Sequence, residues 1–214
     1  ISNKMVCTLM RDMELVSIRQ SAKKLYEDEN HKYKNHLNQE FDTSKPNEVW
    51  ISDFTYFKYG ENAYYICVII YLFSHMVVGY KIGKTNSTQL VKSTFQIVYK
   101  ARHPDSSLIF HTDRGGNYRS KAMNNYIRLL NITHSFSRVH VPYDNSVMES
   151  FFSSMKCEEL YRTKYHSKAD FRKAVDKYII FYNTKRLHRK LQYKTPEQKE
   201  EEYALKIADL QDTR

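Results

Sequence analysis

Apolar side chains recur along this chain in two periods, and the change between them falls near Pro46. Met5, Val6, Leu9, Met10 and Met13 have the spacing of an amphipathic helix over 5–15. Residues 20–48 are polar, charge-mixed and poor in aliphatics, which predicts a helical or extended linker with no core of its own. Beyond it, 49–57, 64–72 and 77–82 are rich in Val, Ile, Tyr and Phe and are joined by short turns, the pattern of an antiparallel meander. A helix over 88–101, capped by Asn86 or Ser87, follows. Then come a short strand at 108–111, a Gly115-Gly116 turn, a helix over 121–130 and a last strand at 132–136. A meander followed by alternating helix and strand predicts a mixed sheet with helices on its faces. Two further helices are expected over 145–161 and 168–182, and a helical, acidic tail over 197–207, to which no chemistry is assigned.

Composition narrows the class of partner. The 214 residues, 41% hydrophobic, are enough for one sizeable domain with appendages. The net charge of +10 points to a polyanion. That charge is uneven: residues 1–48 hold eight basic and eight acidic side chains, whereas 150–194 hold twelve and four. Phosphate contacts are therefore expected in the second half. Cys7, Cys67 and Cys157 form no CxxC pair, which argues against structural zinc and a disulfide framework and fits reduced thiols in a cytoplasm. The longest apolar stretch, 64–73, is too short to span a bilayer.

Three acids stand out by context: Asp53 inside the first strand, Asp113 just past the fourth, and Glu149 near a helix start. A charge within a central strand is costly to bury unless it is paired or ligates a metal. Together the three would make an oxygen-rich cluster suited to Mg2+ or Mn2+. Each also has a plainer reading. Ser146-Val147-Met148-Glu149 matches a capping box, Asp113 suits a turn, and Asp53 could pair with a neighbouring cation. Composition and periodicity leave these alternatives open.

Three runs carry a resemblance: Trp50-Ile51-Ser52-Asp53-Phe54-Thr55-Tyr56, His111-Thr112-Asp113-Arg114-Gly115-Gly116-Asn117-Tyr118, and Pro142-Tyr143-Asp144-Asn145-Ser146-Val147-Met148-Glu149-Ser150-Phe151-Phe152. With the 35 residues between Asp113 and Glu149, they resemble the second-reading-frame (OrfB-type) transposases of insertion-sequence family three, which share the retroviral integrase catalytic core. The likeness extends through Phe181-Tyr182-Asn183-Thr184-Lys185-Arg186-Leu187-His188 and Thr195-Pro196-Glu197. It departs from the family at His140 and at Gln192, each of which stands where a glycine is usual.

The resemblance implies an RNase H-like α/β fold, a mixed five-stranded sheet flanked by helices with a partial helical N-terminal segment. It divides the chain into a partial helix-turn-helix-like segment (1–33), a linker (34–44), an integrase-type core (45–201) and a tail (202–214). The implied activity is that of a DDE transposase, with Asp53, Asp113 and Glu149 holding two Mg2+ or Mn2+ ions for DNA cleavage and strand transfer. The implied partners are DNA, as element ends and target, further copies of the chain, and an upstream-frame helix-turn-helix protein. The implied setting is the cytoplasm, at the nucleoid. Lys156, two helical turns beyond Glu149, is expected to touch DNA, as are Arg138 and Arg114. Two alternatives compete: a tyrosine recombinase, for which most of the tyrosines are better explained by packing, and a truncated or inactive DNA-binding remnant.

Overall fold

The computed structural model describes residues 2–15, 33–139 and 141–212, and the chain divides into two compact units, 1–33 and 34–214. In the first unit, Ser2 caps the helix α1 (Asn3–Asp12), whose Met5, Val6 and Leu9 are exposed. The second half of the expected helix-turn-helix, with part of the expected linker, falls on 16–32, outside the described residues.

The second unit is built on strands β1 (Val49–Tyr59), β2 (Asn62–Tyr71), β3 (Val77–Gly83), β4 (Ile109–Thr112) and β5 (Thr133–Phe136), in the order β3-β2-β1-β4-β5. The first three form the antiparallel meander, while β4 and β5 run parallel to β1. This switch follows from connection length: connections of two and five residues allow antiparallel neighbours, whereas parallel ones need a crossover helix. That helix is α2 (Thr88–Arg102), with Ser87 accepting the Leu90 N–H at its start. Two helices, α3 (Gly116–Arg119) and α4 (Lys121–Leu129), connect β4 to β5. The third run of motif residues ends in helix α5 (Ser146–Met155), and α6 (Lys168–Thr184) and α7 (Pro196–Asp212) follow.

Side-chain alternation on β1 sorts the two faces of the sheet. Val49 and Ile51 pack with Val68 and Ile70 of β2 against Met148, Phe151 and Met155 of α5 and Phe171, Val175 and Tyr182 of α6. Trp50 points the other way, onto Phe95 of α2 (ring centroids 5.6 Å apart), and Phe95 meets Phe110 of β4 at 4.8 Å. Asn183 fastens α6 to the start of β3: its Oδ1 accepts from the Val77 N–H and its Nδ2 donates to the Val77 carbonyl, both at 2.9 Å.

Three expectations are revised. Residues 34–44 are not a free linker, because Leu37 is buried in the core, Phe41 packs against it and the Phe136 N–H of the edge strand β5 donates to the Lys34 carbonyl. A polar segment suits this place: it covers a sheet edge, whose backbone groups want hydrogen bonds more than apolar contacts. Helix α7 runs through the expected boundary at 201–202. The helix expected over 145–161 is α-helical only to Met155 and continues as one π turn, Lys156–Leu160.

Gly79 on β3 lies where α2 comes closest, and a Cβ there would overlap the Val98 Cγ2 methyl. Val98 is fully buried and, being β-branched in a helix, strongly prefers a single rotamer. Gly79→Ala should therefore lower stability by about 1–3 kcal/mol, the usual cost of overpacking. Urea unfolding checks this as a lower midpoint at unchanged slope, and a wild-type midpoint would show that α2 can yield.

Candidate active site

The alternation that sends Ile51 toward α5 sends Asp53 the same way. β1 and β4 are parallel, with Ile51 beside His111 and Ser52 beside Thr112, so the next residues in register, Asp53 and Asp113, stand side by side as β4 ends. The Asp53 carboxylate is held by the Phe54 N–H on Oδ1 and by Asn145 Nδ2 on Oδ2, both at 2.7 Å. Asp113 Oδ1 accepts the Gly115 N–H at 2.9 Å, a turn bond that also aims the carboxylate.

Glu149 is brought to the same place by α5. The N-cap residue of α5 is Asn145, but its side chain does not cap the helix because it is spent on Asp53. Glu149 is exposed in the first turn and lines one open cavity with Asp53, Phe152, Ser153, Lys156 and Tyr161. Asp113 is not among the residues lining that cavity. Among the described residues, no three His, Cys, Asp or Glu side chains stand close enough to enclose an ion as they are.

The electrostatics tie the three acids together. Burial, then the charge of Asp113, then that of Glu149 raise the Asp53 pKa to about 7, against the opposing bonds from Phe54 and Asn145. Burial also raises that of Asp113. A cation would relieve this, and an all-oxygen donor set suits a hard divalent ion. Asn145 Oδ1 is a further oxygen, buried beside Asp53 without a hydrogen-bond partner. By donor chemistry the site fits Mg2+ or Mn2+.

Of the three expected DNA-contacting cations, only Lys156 lies at this cavity, on the π turn that ends α5. Arg138 is committed elsewhere: its Nε and guanidinium nitrogen hold Asp144 at 3.1 and 3.0 Å. Arg114 Nε donates to the Ser137 carbonyl at 2.7 Å.

Asp144 and Asn145, inside the third motif, were not singled out from the sequence, yet they assemble the site. Asp144 is fully buried and also accepts from the Arg138 N–H, Asn35 Nδ2 and Gln39 Nε2, each at 2.8 Å. His111 Nε2 donates to the Asp144 carbonyl at 3.1 Å, and its Nδ1 faces Ser135 Oγ at 2.9 Å. Ser135 Oγ in turn accepts the His36 N–H. Burial pulls the His111 pKa down to about 4, so the ring is neutral at pH 7 and serves as a structural link.

Burial alone would raise the Asp144 pKa, but the bonds from Arg138 and Gln39 and the Arg138 charge outweigh it and bring it to about 2. A lowered folded-state value means a stabilising contribution that is complete above the unfolded pKa near 3.9 and is lost as pH falls through about 2. Asp144→Asn should therefore cost about 2 kcal/mol at pH 7, and the gap to wild type should close between about pH 4 and pH 2. Denaturant melts across that range check it, and a gap independent of pH would show that the charge of Asp144 is not what matters.

Comparison with known proteins agrees with this geometry. Two family models described as integrase core domain match residues 43–142 and 130–196. The transposase for insertion sequence element IS904 of Lactococcus lactis subsp. lactis is 37% identical over 76% of this chain and 64% of its own length. The transposase InsF of insertion sequence IS3A from Escherichia coli is 35% identical over 72% and 54%. The chain thus spans little more than half to just under two thirds of these relatives. Among solved structures, an integrase core of HTLV-2 in complex with magnesium superposes with a TM-score of 0.53 at 21% identity, covering 72% of this chain and 95% of that one. A simian T-cell lymphotropic virus intasome chain superposes at 0.63 and 20% identity, covering 74% and 56%. Motifs, sheet order and relatives converge: the chain belongs to the transposases of insertion-sequence family three, within the retroviral integrase superfamily, and has their RNase H-like fold.

Proposed function

We propose that this chain cleaves DNA and joins the cut end to a second strand, with Asp53, Asp113 and Glu149 as the catalytic carboxylates. The observation that carries the reading is that Asp53 and Asp113 each directly follow the last paired residues, Ser52 and Thr112, of the parallel strands, and that Asp53 shares one cavity with Glu149 and Lys156. The substrates are element ends and target DNA, and the working form is a multimer of this chain, since two ends must be joined together. An upstream-frame helix-turn-helix protein is a further partner in this reading.

In cleavage, a water oxygen attacks phosphorus as the bond to the 3′-oxygen breaks, leaving a 3′-hydroxyl and a 5′-phosphate. In joining, that hydroxyl attacks another phosphodiester, so one P–O bond forms as one breaks and no energy source is required. The three carboxylates would hold two Mg2+ or Mn2+ ions, which supply Lewis-acid stabilisation of the attacking and leaving oxygens. Asn145 and the Phe54 N–H fix the Asp53 carboxylate. Lys156 offers a cation to a phosphate in the cavity.

Asp53→Asn, Asp113→Asn and Glu149→Gln should each reduce cleavage of a labelled duplex by about a thousandfold or more, because metal ligands act as a unit. Mn2+ should raise the melting temperature of the wild type and not that of Asp53→Asn. Near-normal cleavage by any of the three variants, with the fold intact by circular dichroism, would remove that residue from the assignment. Lys156→Ala should weaken DNA binding and flatten its salt dependence by roughly one ion. An unchanged slope would make Lys156 an ordinary solvated lysine.

A further inference from the structure

The flank of α5 away from Glu149 carries Ser146, Ser150 and Ser154, one helical turn apart, and borders a second cavity of about 370 Å3. Opposite the serines stands the segment after α6, with Arg186, His188, Arg189 and Lys190, and Tyr143 lies at the margin. Each charge there has an identifiable state. Arg186 is taken, since its guanidinium binds Glu158 at 2.8–3.0 Å and Ser154 Oγ at 3.1 Å. Arg189 and Lys190 are exposed, and among the described residues no carboxylate pairs with either. His188 is 9% exposed, packs edge-on against Tyr182 with ring centroids 4.6 Å apart, and its buried Nε2 has no hydrogen-bond partner.

Arg189, Lys190, whose ammonium meets only the Phe41 ring at 5.9 Å, and the serine hydroxyls are donors set around one cavity, which an anionic oxygen ligand satisfies. The cavity also has a neighbour. His75 and Lys190 line both it and a larger cavity of about 670 Å3 that includes Lys194, Lys199 and Lys206. Lys194 is paired with Glu202 there and Asp42 also lines the cavity, so it is Lys199 and Lys206 that carry the basic lining beyond the length of one phosphate. A linear polyanion fits such a lining.

We propose that this trough is a second DNA-backbone site, in which Arg189 and Lys190 hold phosphodiesters of a strand passing the flank of α5 opposite the Asp53–Glu149 cavity. It rests on the reading that the chain acts on DNA and extends that reading to the motif between Tyr182 and Lys194, which the carboxylate chemistry leaves unused. Arg186 and His188 are positioning residues in it: Arg186 anchors the segment to Glu158, and His188 packs it on Tyr182.

The test is fluorescence anisotropy with the full chain and a labelled mixed-sequence duplex at several salt concentrations. Arg189→Ala with Lys190→Ala should lower the slope of log K against log[salt] by about two, one for each phosphate released. The exchange Arg189→Lys with Lys190→Arg should keep it. Lys168→Ala with Lys173→Ala, which removes equal charge from exposed positions on α6, should leave it unchanged. An unchanged slope in the first variant, an equal fall in the control, no measurable binding by the wild type, or polyglutamate competing as well as DNA per charge would each overturn the proposal. Cleavage separates the two readings. If Asp53→Asn abolishes cutting while Arg189→Ala with Lys190→Ala binds like wild type, only the trough fails. If the wild type does not cut but the variant loses slope, only the catalytic reading fails.

Discussion

One buried acid organises the corner of the sheet around Asp53. Asp144 lies outside the proposed metal-binding trio, yet its carboxylate draws together the strap at 34–44 through Asn35 and Gln39 and the loop after β5 through Arg138, and its carbonyl meets the end of β4 at His111. A hydrogen-bonded chain leads to it: the strap N–H of His36 donates to Ser135 Oγ, which pairs with His111 Nδ1, and His111 Nε2 lies 3.1 Å from both the Asp144 carbonyl and Ser137 Oγ. Each partner satisfies another, as a buried polar network requires. The next residue, Asn145, then grips Asp53, and the next begins the helix that carries Glu149. The spacing between Asp113 and Glu149 is thus closed by hydrogen bonds at the start of α5 as well as by the apolar packing of its inner face.

This explains what the sequence revealed. The meander, the crossover helix and the sheet order follow from period and connection length, both written locally in the residues. Asp53 was conspicuous because a charge interrupts an apolar strand. Asp144 was not, because an acid in a Pro-Tyr-Asp-Asn segment looks like any turn residue, and its five N–H donors come from residues up to 109 positions away. For the same reason 34–44 read as linker: its value lies in backbone and amide groups that complete the edge of β5, and hydropathy does not register them. Glu149 was ambiguous between capping box and ligand, and the structure shows no side-chain cap at that helix start. Gln192, which departs from the family glycine, has φ +56° and is followed by Tyr193 at +60°, a turn that glycine would enter without strain. His140 lies outside the described residues.

Two periodicities meeting at one helix account for the arrangement of charge. The alternation of β1 aims Asp53 at α5, and the 3.6-residue period of α5 places Glu149, Ser153 and Lys156 on the flank that meets it. Met148, Phe151 and Met155 then face the sheet, and the serines fall on the remaining flank. One helix therefore separates a carboxylate-rich cavity from a cation-rich one. The π turn at Lys156–Leu160 ends the α-helical register where Lys156 reaches the first cavity and Glu158 reaches Arg186. π turns of this kind recur at functional sites because they re-aim side chains without ending the helix.

Where stability is forgone marks the site independently of any motif. Helices α2, α4 and α6 each begin with a serine whose hydroxyl accepts a first-turn N–H. Helix α5 begins with an equally good capping residue, Asn145, and does not use it so, although such a cap is worth roughly 1 kcal/mol. Its amide nitrogen goes to a carboxylate that burial and Asp113 already make costly to ionise, and its oxygen is left buried without a partner. Thr55, two residues beyond Asp53, likewise keeps a buried hydroxyl unpaired. Folding alone would favour replacing these groups with a capped helix and an apolar strand. An unused cap, an unpaired amide oxygen and an unpaired hydroxyl all lie within reach of one costly carboxylate, the physical sign that this corner is shaped by what it binds.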